Sequence, residues 1–180
     1  MATERTHLLA LARARRRSCR VRLRYRDAGD STTEREVDVL GLSFQDGCWY
    51  ALVHCHLRRA VRMLRVDRMV DSEVLQRAAR ARPPHGFDPA FFASVEFLEP
   101  GAPVAHIATV RIEGALAAAA PVLFPTALTE RDGRVLLCHV RASRLAVLAA
   151  LVKSLGQGAA LVDSAGGEVG IGAPRSRKRN

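Results

Sequence analysis

A chain of 180 residues with 48% hydrophobic content and a formal net charge of +10 is long enough for one domain or two small ones, and too apolar to be a disordered tail. No apolar run reaches the roughly 18 residues of a membrane span, and the N-terminal "MATERTHLLALARARRR" is too short in its apolar part, and too acidic ahead of it, for a signal peptide. Four cysteines (Cys19, Cys48, Cys55, Cys138) without C-x-x-C spacing exclude a dense disulfide framework and make a reducing cytoplasm the expected location.

The charge is uneven. Residues 1–82 carry 18 Lys+Arg against 10 Asp+Glu, whereas residues 83–172 carry 6 against 8. The last eight residues, "APRSRKRN", add four cations and no acid. An excess confined to the first half and the tail points to an anionic partner there. Arginine outnumbers lysine 26 to 2, which supplies permanently charged planar forks suited to phosphates and base edges.

In chain order, residues 4–17 predict a short helix. Glu4 lies near its start, Leu8, Leu9 and Leu11 form an apolar stripe, and Arg13 to Arg17 crowd the end where the dipole favours cations. From Cys19 the period switches to two. "RVRLRYR", "TEREVDVLGLSF" and "CWYALVHCH" predict strands, separated by the turn chemistry of "DAGDST" and "QDG". In "AVRMLRV" the arginines recur every third residue, but β-branched Val61 and Val66 favour a fourth strand, and "SEVLQR" a last short strand or turn. Short strands in succession with tight turns argue for a small barrel. "ARPPHGFDP" reads as a linker, and "AFFASVEFL" as a possible helical turn.

The second half changes character. "VAHIATVRIE" predicts a strand, "GALAAAAPVL" a short helix stopped by Pro121, and "ALTERDGRVLLCHV" a hairpin turning at Asp132-Gly133. "SRLAVLAALVKSLG" predicts a helix with Ser143 as N-cap and Gly156 as its stop, and "GAALV" a final strand. The order β-α-β-β-α-β is ferredoxin-like. The expected fold is thus α+β, an N-terminal helix and a small barrel over 1–80, a linker over 81–99, a ferredoxin-like extension over 100–172 and a disordered basic tail over 173–180.

The arginine ladder Arg20, Arg22, Arg24, Arg26 invites a phosphate reading. A hairpin about "DAGDS" offers a simpler one, in which Arg26 meets Glu34, Arg24 meets Glu36 and Arg22 meets Asp38, with Tyr25 opposite Arg35. Such pairs contribute roughly 0.2–1 kcal/mol each, so the ladder is expected to be answered by its neighbour. Arg35 is the exception, a charge on the apolar face beside Tyr25, which is costly unless an anion satisfies it or it snorkels at the rim. "RRAVRMLRVDR" is the second unanswered group, with Arg58, Arg59, Arg62, Arg65 and Arg68 against Asp67. A solvated edge strand would also carry such charge, but five arginines with one acid exceed that need and favour phosphate contact. "HCH" at 54–56 lacks the paired ligand spacing of a zinc site, so no metal is expected.

"GCWYALVHCHLRRAVRMLRVDRMVDSEVL" resembles the WYL domain, a small Sm-like, SH3-type barrel of bacterial regulators. The likeness takes in the Tyr25 strand, Arg35-Glu36-Val37, Trp49-Tyr50 and Arg65-Val66-Asp67-Arg68-Met69, and residues of about 100–165 resemble the extension that follows such domains. Ala51, Val39, Leu64 and Met69 depart from the residues common in the family. Members usually carry a winged helix-turn-helix, for which residues 1–17 are too few. The resemblance implies a non-catalytic sensor of a transcriptional regulator, binding short single-stranded DNA, RNA or a nucleotide-like ligand through Tyr25, Arg35, Tyr50, Arg59, Arg62, Arg65 and Arg68, with no cofactor. It also implies a helix-turn-helix or protein partner and a possible homodimer. The alternative is an accessory protein that docks on a nuclease or another nucleic-acid machine. Enzyme motifs are not met: "GLSFQDG" is no nucleophile elbow, "GDST" and "SAGGEVG" lack the lysine of a phosphate loop, and the six histidines are scattered.

Overall fold

The computed structural model describes residues 3–94, 106–163 and 167–169. It is a mixed α+β chain with an N-terminal helix and two antiparallel sheets. Helix α1 (Glu4–Arg17) forms as its sequence dictates. The Thr3 hydroxyl accepts the Thr6 N–H at the N-terminus, Arg15 to Arg17 sit in the last turn, and Ser18 closes the end in the left-handed conformation. Leu8, Leu11 and Ala12 are buried against the sheet.

The first sheet contains β1 (Cys19–Arg26), β2 (Thr32–Gln45), β3 (Cys48–Cys55), β4 (Ala60–Arg65) and β5 (Met69–Ala78), in the order β4-β3-β2-β1-β5. A 3-10 turn, Val66–Arg68, joins the two edge strands. No ladder pairs β4 with β5 among the described residues, so in place of the expected closed barrel the strands form an open five-stranded sheet. Asp46 and Gly47 both take positive φ (48° and 76°), the two-residue hairpin geometry that suits their residue types. β2 carries a bulge between Val39 and Gly41, which lets one long strand bend. Beyond it, Phe87 and Phe92 lie so close over Gly41 that a Cβ would stand 3.2 and 3.1 Å from their rings. The short helix α2 (Pro89–Ser94) thereby caps the outer side of β2.

The β1–β2 hairpin corrects the expected register by two residues. Arg20 faces Asp38, Arg22 faces Glu36 and Arg24 faces Glu34, while Leu23 rather than Tyr25 stands opposite Arg35. The turn is the cause. Asp27 Oδ1 accepts the N–H groups of Gly29 and Ser31, and Asp27 N–H bonds to the Ser31 carbonyl, with Asp30 left-handed (φ 61°). That closes a three-residue loop earlier than a pairing of Arg26 with Glu34 would allow. A shift of two keeps every side chain on its face, so the charge pairing survives with new partners.

The second sheet contains β6 (His106–Ile112), β7 (Leu128–Asp132), β8 (Val135–Ala142) and β9 (Ala159–Val162), in the order β7-β8-β6-β9 with every pairing antiparallel. Helices α3 (Ala115–Leu123) and α4 (Leu145–Leu155) complete the order β-α-β-β-α-β. Pro121 does not stop α3. It lies in the last turn, and the Phe124 N–H still reaches the Ala120 carbonyl at 2.8 Å. The N-cap of α4 is Arg144, one residue after the expected Ser143, while Gly156 closes it with φ 68°. The expected basic tail over 173–180 falls outside the described residues.

One continuous core runs through both halves, from Leu8 and Leu23 to Leu116, Leu148 and Leu155. The single tryptophan ties them together: Trp49 is 2% exposed and donates its Nε1–H to Ser154 Oγ on α4 at 2.8 Å. Burial pushes the Cys138 thiol up to about 11, and Cys55 is also buried. A thiol reagent at about pH 8 is therefore expected to label Cys19 and Cys48 first, and Cys55 and Cys138 only on unfolding. Rapid labelling of all four in native buffer would contradict this packing.

A second expectation concerns His7, which is 1% exposed on α1 with Nδ1 2.8 Å from Ser72 Oγ. Burial lowers its pKa from the ordinary 6.5, against opposing effects of Asp71 and the Met69 backbone. The unfolded chain thus takes up this proton first. Stability from His7 is complete above 6.5 and is lost as pH falls toward the folded value. The urea midpoint should fall between about pH 7.5 and about pH 5.5, and fall less in His7→Gln. An equal fall in both proteins would assign the effect elsewhere.

Candidate nucleic-acid interface

Alternation sorts the ladder first. Val21, Leu23 and Tyr25 of β1 are buried, so the arginines between them lie on the outer face. There Arg20 meets Asp38 at 3.1 Å and Glu36 at 3.0 Å, Arg22 meets Glu73 at 2.9 Å and Glu34 at 3.6 Å, and Arg77 joins Glu36 at 3.0 Å. Arg26 pairs with Asp30 at 3.8 Å. Arg20, Arg22 and Arg26 are therefore answered by acids, while exposed Arg24 has no ion pair within 4.0 Å among the described residues.

The anchor of these ion pairs is Asp38, which is wholly buried. One carboxylate oxygen takes Arg20 and lies 3.0 Å from His56 Nε2; the other accepts the N–H groups of Arg80 and Ala81 at 3.0 and 2.9 Å. Burial pushes its carboxyl up, but the Ala81 N–H, His56, the Arg80 N–H and Arg20 together hold it below the ordinary value. The chain leaving β5 is thus fastened back across β2. Its role is structural, and His56 of the "HCH" run is committed to it.

Tyr25 and Arg35 meet as expected, though by a diagonal contact. The Arg35 guanidinium carbon lies 5.0 Å from the Tyr25 ring centroid, a cation–π distance. Arg35 Nη2 donates to Thr33 Oγ1, while its buried Nε has no partner. Tyr25 itself is 6% exposed, and its hydroxyl accepts the Arg65 backbone N–H at 3.3 Å. It is a wall of the site rather than an open stacking platform.

On β3 and β4 the two-residue period divides the remaining candidates. Trp49, Ala51, Val53 and Cys55 point into the core, with Trp49 packed 5.3 Å from Phe44. Half-buried Tyr50 lies on the opposite face, cross-strand from Arg65. Arg62 pairs with Val53 and so shares the inner side with Arg35, at the open end of the sheet. Arg62 and Arg65 therefore do not form one stripe.

Arg65 is also the least free of the group. It grips Asp67 with both Nε and Nη2, at 3.1 and 2.5 Å, and its pKa is raised by that hydrogen-bonded pair. Arg59, Arg62 and Arg68 have no ion pair within 4.0 Å among the described residues. Arg59 holds a left-handed backbone (φ 49°) in the turn before β4, a conformation uncommon for residues other than glycine. Apolar Leu57, Val61 and Met63, 53%, 38% and 51% exposed, surround this edge. The sequence reading missed Asp38 as a hub, because its partners Arg80 and Ala81 return from far along the chain.

Residues 6–74 match the family model of the WYL domain, and the chain carries a WYL domain over those residues. Among solved structures it is similar to proteasome accessory factor B/C (PafBC) of Arthrobacter aurescens, at 26% identity and a TM-score of 0.43, over 89% of this chain and 25% of that one. It is also similar to a CRISPR Cas-related protein, at 9% identity and a TM-score of 0.32, over 89% of this chain and 46% of that one. The chain spans a quarter of the first and less than half of the second. No curated protein matches. No described helix is long and apolar enough to cross a membrane.

Proposed function

We propose that this chain is a non-catalytic, ligand-sensing part of a transcriptional regulator. Its WYL domain takes a short single-stranded nucleic acid or nucleotide-like anion at the Tyr25–Arg35 end of the sheet and along β4. The carrying observation is a contrast in charge balance. Acids answer Arg20, Arg22 and Arg26, whereas Arg59, Arg62 and Arg68 have no ion pair within 4.0 Å among the described residues, and half-buried Arg35 keeps an Nε–H without a partner. Phosphates would supply the missing acceptors. Arg65 then orders the turn through Asp67, and half-buried Tyr50, on the other face, offers a ring on which a base could stack.

We read the sheet as an opened Sm-like barrel and the second half as a ferredoxin-like unit, on its antiparallel order β7-β8-β6-β9. The regulatory output would pass to a helix-turn-helix or a partner protein, in the cytoplasm, with the second unit as a possible dimer contact. A second reading rests on the exposed apolar residues Leu57, Val61 and Met63 beside the arginines, which suit docking on a nucleic-acid machine. Fluorescence anisotropy with short single-stranded DNA, single-stranded RNA and duplex DNA at two salt concentrations tests the first reading. Salt-sensitive binding of a single strand in preference to duplex is expected. Equal binding of all three, or none, would overturn it.

A further inference from the structure

A second charged cleft lies elsewhere. A cavity of about 680 Å³ opens between α1, β5 and α3, within the range of small-molecule sites. Its walls come from both halves of the chain, and its charge is one-sided. Arg13, Arg16 and Arg17 line it, and no acidic side chain among the described residues does.

These arginines are not explained by the helix alone. Arg16 and Arg17 belong to the last turn of α1, where the dipole favours cations. Arg13 stands a turn earlier, at i,i+4 from Arg17 and i,i+3 from Arg16, spacings at which like charges repel. Arg16 is partly engaged, with Nη1 donating to the Ala118 carbonyl of α3 at 2.6 Å. Arg13 and Arg17 have no ion pair among the described residues. The floor between them is apolar and low, with Ala10, Ala118 and Ala119 beside Leu9 and Val74. Thr6 and Gln76 supply hydroxyl and amide groups at its edge.

We infer that this cleft binds a nucleoside monophosphate. The Arg13 and Arg17 forks take the phosphate, the alanine-lined floor receives the flat base, and Thr6 and Gln76 meet polar edges. The site is separate from the β4 patch and does not depend on it. Because α1 and α3 both line the cleft, the ligand clamps the WYL domain to the second unit, and occupancy reports on how the two halves are packed.

The test is isothermal titration of the whole chain with AMP, with adenosine and inorganic phosphate as separate arms. Arg13→Ala/Arg17→Ala removes the forks, Ala118→Leu fills the floor at an exposed helix position, and Arg62→Ala/Arg68→Ala controls for the β4 patch. AMP is expected to bind more tightly than either fragment. Both cleft variants should weaken it at least about tenfold, as loss of charge-assisted hydrogen bonds or of the floor would, while the β4 variant leaves it unchanged. Failure of AMP to bind, binding of phosphate as tight as that of AMP, or loss in the β4 variant but not in the cleft variants would overturn the assignment. Failure of the unaltered chain to bind an oligonucleotide while it binds AMP would count against the β4 reading alone.

Discussion

Asp38→Ala is expected to destabilise the chain by about 3–5 kcal/mol, the cost of breaking a buried ion pair from one side. The substitution leaves Arg20, 13% exposed at its side chain, without one of its two acids, and leaves the Arg80 and Ala81 N–H groups without their acceptor. The strap from β5 to α2 would loosen over Gly41, where Phe87 and Phe92 pack. Asp38→Asn should cost less, since an amide oxygen still accepts one of these donors but carries no charge. Urea unfolding measures both. A loss under about 1 kcal/mol for alanine would mean that water replaces the carboxylate and that the hub is ornamental. Acid should act in the same direction. A carboxyl held below its ordinary 3.8 contributes stability that is complete above that value and disappears as pH falls through the folded one.

The second large effect concerns binding. Arg62→Ala/Arg68→Ala should weaken a short single strand by at least about tenfold and flatten its salt dependence, since each phosphate contact on a single strand contributes a slope of about −0.7 in log K against log salt. Arg22→Ala/Arg24→Ala, on the outer face of β1, should change neither quantity by as much, because Arg22 is already held by Glu34 and Glu73. Arg65→Ala should behave differently again. Its fork is occupied by Asp67, so its loss should lower stability by a modest amount and free Asp67 to repel phosphate. If the β1 and β4 double variants lose affinity equally, binding is a bulk charge effect and no site exists.

Much of the architecture was legible from local signals. The helix at 4–17 follows from a first-turn acid, a leucine stripe and last-turn arginines, and the strands from alternation and turn residues. The register was not, because it depends on Asp27 folding its own side chain into the turn, a contact that places the hairpin two residues from the charge-matched guess. The hub at Asp38 needs residues 56, 80 and 81 to converge, which no window of sequence contains. In the candidate patch the arginines recur every third residue, as on a helix face, yet the β-branched segment forms a strand. Two-residue parity already divides Arg62 from Arg65, and the structure divides them the same way. The short Ala-rich α3 runs two residues past Pro121 because a proline in a last turn forfeits little.

The most direct test of the account maps a bound oligonucleotide onto the chain by amide chemical shifts. Addition of a short single-stranded DNA to labelled protein should move resonances from Arg59 through Arg68 together with those around Thr33 and Arg35, and leave Arg20 to Arg24 nearly unmoved. Shifts centred on the β1 ladder, or spread evenly over the charged surface, would contradict the claim that the unanswered arginines on β4 and in the turns flanking it form the site.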